Sequence, residues 1–362
     1  MSRRVLSVFS LTMITIGSVD SIRNLPSTAL FGSSLIFFFL LGAILFLIPS
    51  ALVSAELSSS FPEQGGVYVW VKKAFGTQFG FLAIWFQWVE NVIWYPAILS
   101  FIAATLAYLF DPELAKNPAF LVTVIIVVFW SITFINLLGM KSSAWVSNVC
   151  AIAGLILPMV LIITLGVIWI LKGHPRQVHF TATNMLPHLH HAGMWVSLTG
   201  IMLSFCGMEI ATVHARDVKN PQKAFPRALF YSAIIILVTL IFGSLTIAIV
   251  LPVKNMSLVA GIMQVFSTFF HAYHMMWIIP IIGIMLIIGG IGGVNNWIIA
   301  PTKGLLVAAQ DGSLPPIMQG EHRHHAPKSL LIIQAIVVTI FALGFLLLPS
   351  VNESYWLLNV LA

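Results

Sequence analysis

Charge is what this sequence most lacks. Only 8% of its 362 residues are charged, against about 25% in an ordinary soluble chain. A water-facing surface of normal size cannot be built from so few, so a soluble globule is excluded. Cysteine is nearly absent too. Cys150 and Cys206 both lie in apolar runs and give no disulfide framework. No small-residue cleavage site follows the basic, apolar start MSRRVLSVFSLTMITIGSVDS, so this segment reads as a retained first helix. HExxH and comparable nucleophile–base sets are also missing. A membrane-embedded enzyme using Glu209 with His214 or loop histidines is therefore the weaker alternative. No cofactor and no nucleic-acid partner are expected; the net charge of +6 fits basic cytoplasmic loops instead.

What is present is apolar length. Hydrophobic residues make up 59% of the chain, in runs of ~20 residues, the length that crosses a bilayer as helix. Spans are expected near 5–28, 32–54, 77–108, 118–139, 145–171, 193–215, 228–252, 274–300 and 329–349. A tenth starts near 354 and is cut off at Ala362 while still apolar. Of the 17 lysines and arginines, Lys116, Lys172, Arg176 and Lys254 fall in outside loops, Arg23 within the first span, and the others in inside loops. That bias puts the N-terminus in the cytoplasm, and the chain is expected in the cytoplasmic (inner) membrane.

Two spans are flawed in matching ways. The first is interrupted by Gly17-Ser18-Val19-Asp20-Ser21, and the sixth by Ser204-Phe205-Cys206-Gly207. Five spans separate them, so the two helices enter from opposite sides. Paired interruptions in inverted halves are the sequence mark of a secondary-transporter binding site. A lone glycine in a membrane helix usually serves packing, but here the breaks are paired and both have acidic neighbours. Backbone groups freed in hydrocarbon cost several kcal/mol each unless buried in protein or used by a wet cavity. Half-helix N-termini suit a carboxylate and exposed carbonyl ends suit an ammonium. Ile16, Gly17, Ser18 and Val19 with Ser204, Phe205, Cys206, Gly207 and Met208 are thus candidates to cradle a zwitterionic amino acid.

Three stretches carry a resemblance. SFCGMEIATVHARDVKNPQKAFPRA resembles the sixth-helix signature of the amino acid–polyamine–organocation permeases. AELSSSFPEQGGVYVWVKKAFG at 55–76 and AAQDGSLPPIM at 308–318 resemble the family's loops after helices 2 and 8. SIRNLP at 21–26 and GGVYVWVKKAFG lean toward the glutamate/GABA antiporter branch. The resemblance implies an all-α polytopic membrane protein with a LeuT-like five-plus-five inverted repeat and broken helices 1 and 6. Residues 1–171 would form the first repeat and 193–362 the second, truncated in helix 10. It implies amino-acid exchange or proton-coupled uptake, with an amino acid, protons and the lipid bilayer as partners. Members commonly have twelve helices, so a non-transporting fragment is a further alternative. The family's G-x-E glutamate, tied to pH response and gating, maps onto Glu209. Leu203 stands where arginine/agmatine antiporters place a tryptophan, which argues against an arginine-type site.

Other residues carry weaker expectations. An intramembrane carboxylate is a functional candidate by default, though Glu209 could simply bond to the first break. Asp20 and Arg23, three apart, could pair with each other or serve substrate or gate. Glu90 is expected to face the interior with a role in gating or proton coupling, or else to make a packing contact. Trp88, Asn91, Tyr95, Asn295 and Asn296 are cavity candidates. The glycines of GGIGGVNNW (289–297) allow close helix approach, and Glu56 with the Pro62-to-Gly66 loop supports a cytoplasmic hinge. HLHH (188–191) and EHRHH (321–325) fall in loops and are read as solvated rather than as a metal site. No residue pattern defines an oligomer.

Overall fold

The computed structural model describes residues 6–63, 65–137, 144–178, 180–185, 193–212, 218–320, 327–348 and 350–361. Among these, seven helices are long and apolar enough to cross a membrane. With the shorter helices that matter here, they are α1 (Val8–Val19), α2 (Gly32–Ser60), α3 (Val67–Phe75), α4 (Thr77–Phe110), α5 (Pro118–Leu137) and α6 (Asn148–Leu171). There follow α7 (Gly193–Ser204), α8 (Pro221–Val250), α9 (Gly261–Ala272), α10 (Met276–Ser313), α11 (Lys328–Leu346) and α12 (Val351–Leu361). No strand occurs among the described residues beyond one isolated bridge from Leu6 to Val218. The seven long helices fall on seven of the nine complete expected spans, but α2 and α10 run on past theirs, to Ser60 and Ser313, and α8 begins earlier, at Pro221. The other two, 5–28 and 193–215, are the broken ones, too short in continuous helix to count as full crossings.

The helices are apolar on the outside as well as within. Along α2, Leu40, Ile44, Leu45, Ile48 and Leu52 are all exposed. Water would make such a face a liability; a bilayer makes it the ordinary surface of the protein. α4 is the central post. Its 34 residues rise ~51 Å at 1.5 Å each, beyond a hydrocarbon core of about 30 Å. It packs on α3, α5, α10, α11 and α12, while α1 lies against α8 and α10.

Glycine decides one contact outright. A Cβ added to Gly154 would lie 2.2 Å from the Gly289 Cα, so α6 and α10 touch backbone to backbone. This is the close approach expected of GGIGGVNNW. At one end of the bundle, Lys72 of α3 pairs with Asp311 of α10 at 2.6 Å, and the Tyr68 hydroxyl donates to the same carboxylate oxygen at 2.6 Å. Burial raises the Tyr68 pKa above the ordinary tyrosine range, which keeps that hydroxyl a donor. Lys73 pairs with Glu63 and lies over Phe61, while Gly65 and Gly66 turn the chain with φ of 126° and 52°.

Candidate functional site: a cavity between two helix breaks

The first break is narrower than the sequence suggests. Thr12, Thr15 and Ser18 each return their hydroxyl to the carbonyl four residues back, at 2.9, 2.9 and 2.8 Å. Polar side chains that bond their own helix in this way do not break it. α1 therefore runs through Gly17 and Ser18, and the chain becomes extended only at Asp20 and Ser21. Ile16 is buried, and its carbonyl accepts the Asp20 N–H at 2.8 Å. Gly17, Ser18 and Val19 form the last turn, where carbonyls lose their onward helical partners. The Ser18 carbonyl is taken by the Trp297 indole N–H at 2.8 Å.

The second break follows α7 at Ser204, whose hydroxyl donates to the Gly200 carbonyl at 3.0 Å. Residues 205–209 are turns, and Gly207 has a φ of 110°. A Cβ on Gly207 would sit 2.6 Å from a Trp297 ring carbon and 3.4 Å from Val19. Both its conformation and its surroundings demand glycine. Phe205 packs edge-on against Phe39 with centroids 5.7 Å apart, and Phe205 and Met208 belong to the apolar core.

The sixth span, expected to continue to 215 beyond its interruption, does not resume as α-helix at Glu209. Glu209 lies in the turn, and 210–212 make one tight 3-10 turn. Its carbonyl takes both the N–H of Thr212, at 2.9 Å, and the Thr212 hydroxyl, at 2.5 Å. That pair of bonds from three residues on holds the carbonyl in the tighter spiral. Residues 213–217 lie outside the described residues. The Glu209 side chain accepts from Gln87 Nε2 of α4 at 2.8 Å.

A cavity opens between the breaks. Its volume is about 70 Å³, where a single water needs about 10–15 Å³. There is room for a small solute. Gly17, Ser18, Val19 and Cys206 line it from the breaks, and Asp20, Arg23 and Glu90 bring its ionisable groups. Asn91, Trp94, Asn296 and Trp297 complete its polar and aromatic wall, with Leu203 beside Cys206.

Asp20 and Arg23 do not pair, because the break between them removes the helical spacing that would align them. Asp20 Oδ2 instead accepts from the Thr239 hydroxyl of α8 at 2.7 Å. The Arg23 guanidinium lies 4.8 Å above the Trp94 ring and reaches the Tyr355 hydroxyl of α12 at 3.5 Å. Asp20 Oδ1 and Arg23 Nε are buried with no hydrogen-bond partner among the described residues.

Several candidates face elsewhere. The Trp88 indole donates to Gln334 at 2.9 Å, and Tyr95 packs tilted against Phe129 with centroids 5.1 Å apart. Asn295 accepts from Asn136 of α5 at 2.9 Å, away from the cavity. Neighbours on a helix are about 100° apart, so Asn295 and Asn296 could not both face inward. Sequence reasoning missed Gln87, Trp94, Thr239, Trp297 and Tyr355. Gln87 was within reach, one turn before Asn91 on the same stripe; Thr239 sits in an apolar run with nothing to mark it. Both histidine clusters and His214 lie outside the described residues.

A lipid-facing helical bundle with two interrupted helices around a small cavity that carries Asp20, Arg23 and Glu90 defines a multi-pass integral membrane transporter. The chain belongs to the amino acid permease family, whose model matches residues 6–362. It is 45% identical to an uncharacterized transporter of Legionella pneumophila, over 100% of this chain and 78% of the relative. A glutamate/gamma-aminobutyrate antiporter of Lactococcus lactis is 29% identical over 94% of this chain and 69% of its own length. A probable agmatine/putrescine antiporter from the same species is 24% identical over 97% and 74%.

Proposed function

We propose that the protein exchanges amino acids across the cytoplasmic membrane, with the cavity between the breaks as the substrate site. The observation that carries this is the meeting of α1 and the segment after α7 at one indole, Trp297, with open space beside it. The carbonyl ends of the helices suit the substrate ammonium, and N–H groups beyond the breaks suit its carboxylate. Exchange, rather than uptake alone, is supported by the antiporter relatives. In this reading residues 1–171 and 193–362 are inverted repeats that rock around the cavity, with the N-terminus in the cytoplasm. Glu209, next to the second break and held by Gln87, serves gating or proton coupling. The test is counterflow of a panel of amino acids and amines in proteoliposomes over a pH series. Exchange of at least one amino acid is expected; failure of every amino acid and amine sinks the transporter mechanism proposed here.

A further inference from the structure

Four acidic or basic side chains lie in or beside the site: Asp20, Arg23, Glu90 and Glu209. They differ in how they can meet the cost of burial. A carboxyl group can take a proton and become neutral; a guanidinium in a protein cannot lose one. Glu209 is bonded by Gln87 and Asp20 by Thr239. Arg23 is only 3% exposed. It has the face of Trp94, one long contact to the Tyr355 hydroxyl, and an Nε with no partner among the described residues. No ion pair joins it to any carboxylate among the described residues. A permanent cation is thus held in the wall of a cavity with part of its hydrogen-bonding fork unused.

A buried cation in this state lacks an anion. A guanidinium fork fits a carboxylate in shape as well as charge, and Trp94 fixes the plane in which it is offered. The last turn of α1 lies on the same cavity and offers carbonyl oxygens, which suit an ammonium. We infer that Arg23 is a specificity-determining residue that holds the side-chain carboxylate of the substrate, so that the cavity selects acidic over neutral amino acids. This rests on the amino-acid site proposed above. Asp20, extended at the break, is bonded to Thr239 and forms no ion pair with the guanidinium, which leaves Arg23 free for the ligand.

The experiment uses the full chain in proteoliposomes and purified in detergent. Exchange of glutamate, aspartate, glutamine and asparagine is compared for the native protein, Arg23→Gln and Arg23→Lys. The native protein should prefer each acid to its amide. Arg23→Gln should raise KM for the acids by roughly 10- to 100-fold, the worth of a charge-assisted bond, with little change for the amides. Arg23→Lys should recover part of that loss, keeping the charge without the planar fork. A loss of equal size for acids and amides would make Arg23 structural and overturn the inference. Should Arg23→Gln fail to fold, thermal stabilisation of the native protein decides. Greater stabilisation by the acids than by the amides supports it, and equal or greater stabilisation by the amides overturns it. Either failure leaves amino-acid exchange standing, whereas absence of all exchange and all stabilisation removes the site itself.

Discussion

The two helix breaks are built by opposite means. At the first, the backbone is ordinary extended chain, and what distinguishes it is side-chain chemistry: Asp20 tied to Thr239, and Arg23 set on Trp94. At the second, the side chains are mostly packed away, and the backbone is the unusual part, with Gly207 in a conformation that an L side chain rarely adopts. Phe205 and Met208 anchor that turn in the core, and Glu209 turns to Gln87. The first break therefore supplies two of the three ionisable side chains of the cavity, with Glu90 of α4 as the third, and the second break supplies its shape. Trp297 belongs to both, donating to one and filling the space over the other.

The largest effect should come from attacking shape. Gly207→Ala places a Cβ both in a disfavoured backbone region and against the Trp297 ring. A loss of about 2–4 kcal/mol is expected, read as a lower unfolding temperature in detergent together with abolished exchange. An unchanged protein would mean the turn is pliable and the contrast between the breaks is false. Next comes the shared residue. Trp297→Phe removes the donor to Ser18 and thins the wedge over Gly207, at a cost of about 2 kcal/mol. Exchange should weaken for every substrate alike, unlike the selective loss expected at Arg23. A selective loss would place Trp297 with the first break alone.

Smaller in stability but sharper in mechanism is Glu209→Gln. The amide oxygen can still accept from Gln87, so stability should change by less than about 1 kcal/mol. Transport should lose its dependence on pH. An unaltered profile would return Glu209 to a structural role at the second break. Least of all should be Lys72→Met at the bundle end. Both partners of the pair with Asp311 are more than a third exposed, and such pairs are worth about 0–1 kcal/mol. A large loss of stability there would show that rigidity resides at the bundle end and not at the breaks.

Much of this was legible in the sequence. Long apolar runs located the seven full-length helices, because lipid imposes a composition that little else requires. The two interrupted spans were visible as well, since polar and glycine residues stand out in such runs. The exact point of the first break was not. Thr12, Thr15 and Ser18 look like breakers in a sequence, yet they bond back into their own helix, and the turn falls at Asp20. Partners across the bundle were also hidden. Nothing local to Thr239 or Tyr355 announces that it will meet Asp20 or Arg23, over 200 and 300 positions away in the chain. Trp297 sat in the quoted GGIGGVNNW, but its asparagines drew attention first.

The contact between Gly154 and Gly289 has a consequence for traffic. Both residues also border the cavity, so the seam where α6 meets α10 is one of its walls. With the two backbones touching, no acyl chain can wedge between them and no solute can leak sideways into the membrane there. The smallest residues in the protein thereby act as a gasket, and along this wall the contents of the cavity can travel only toward one aqueous end or the other.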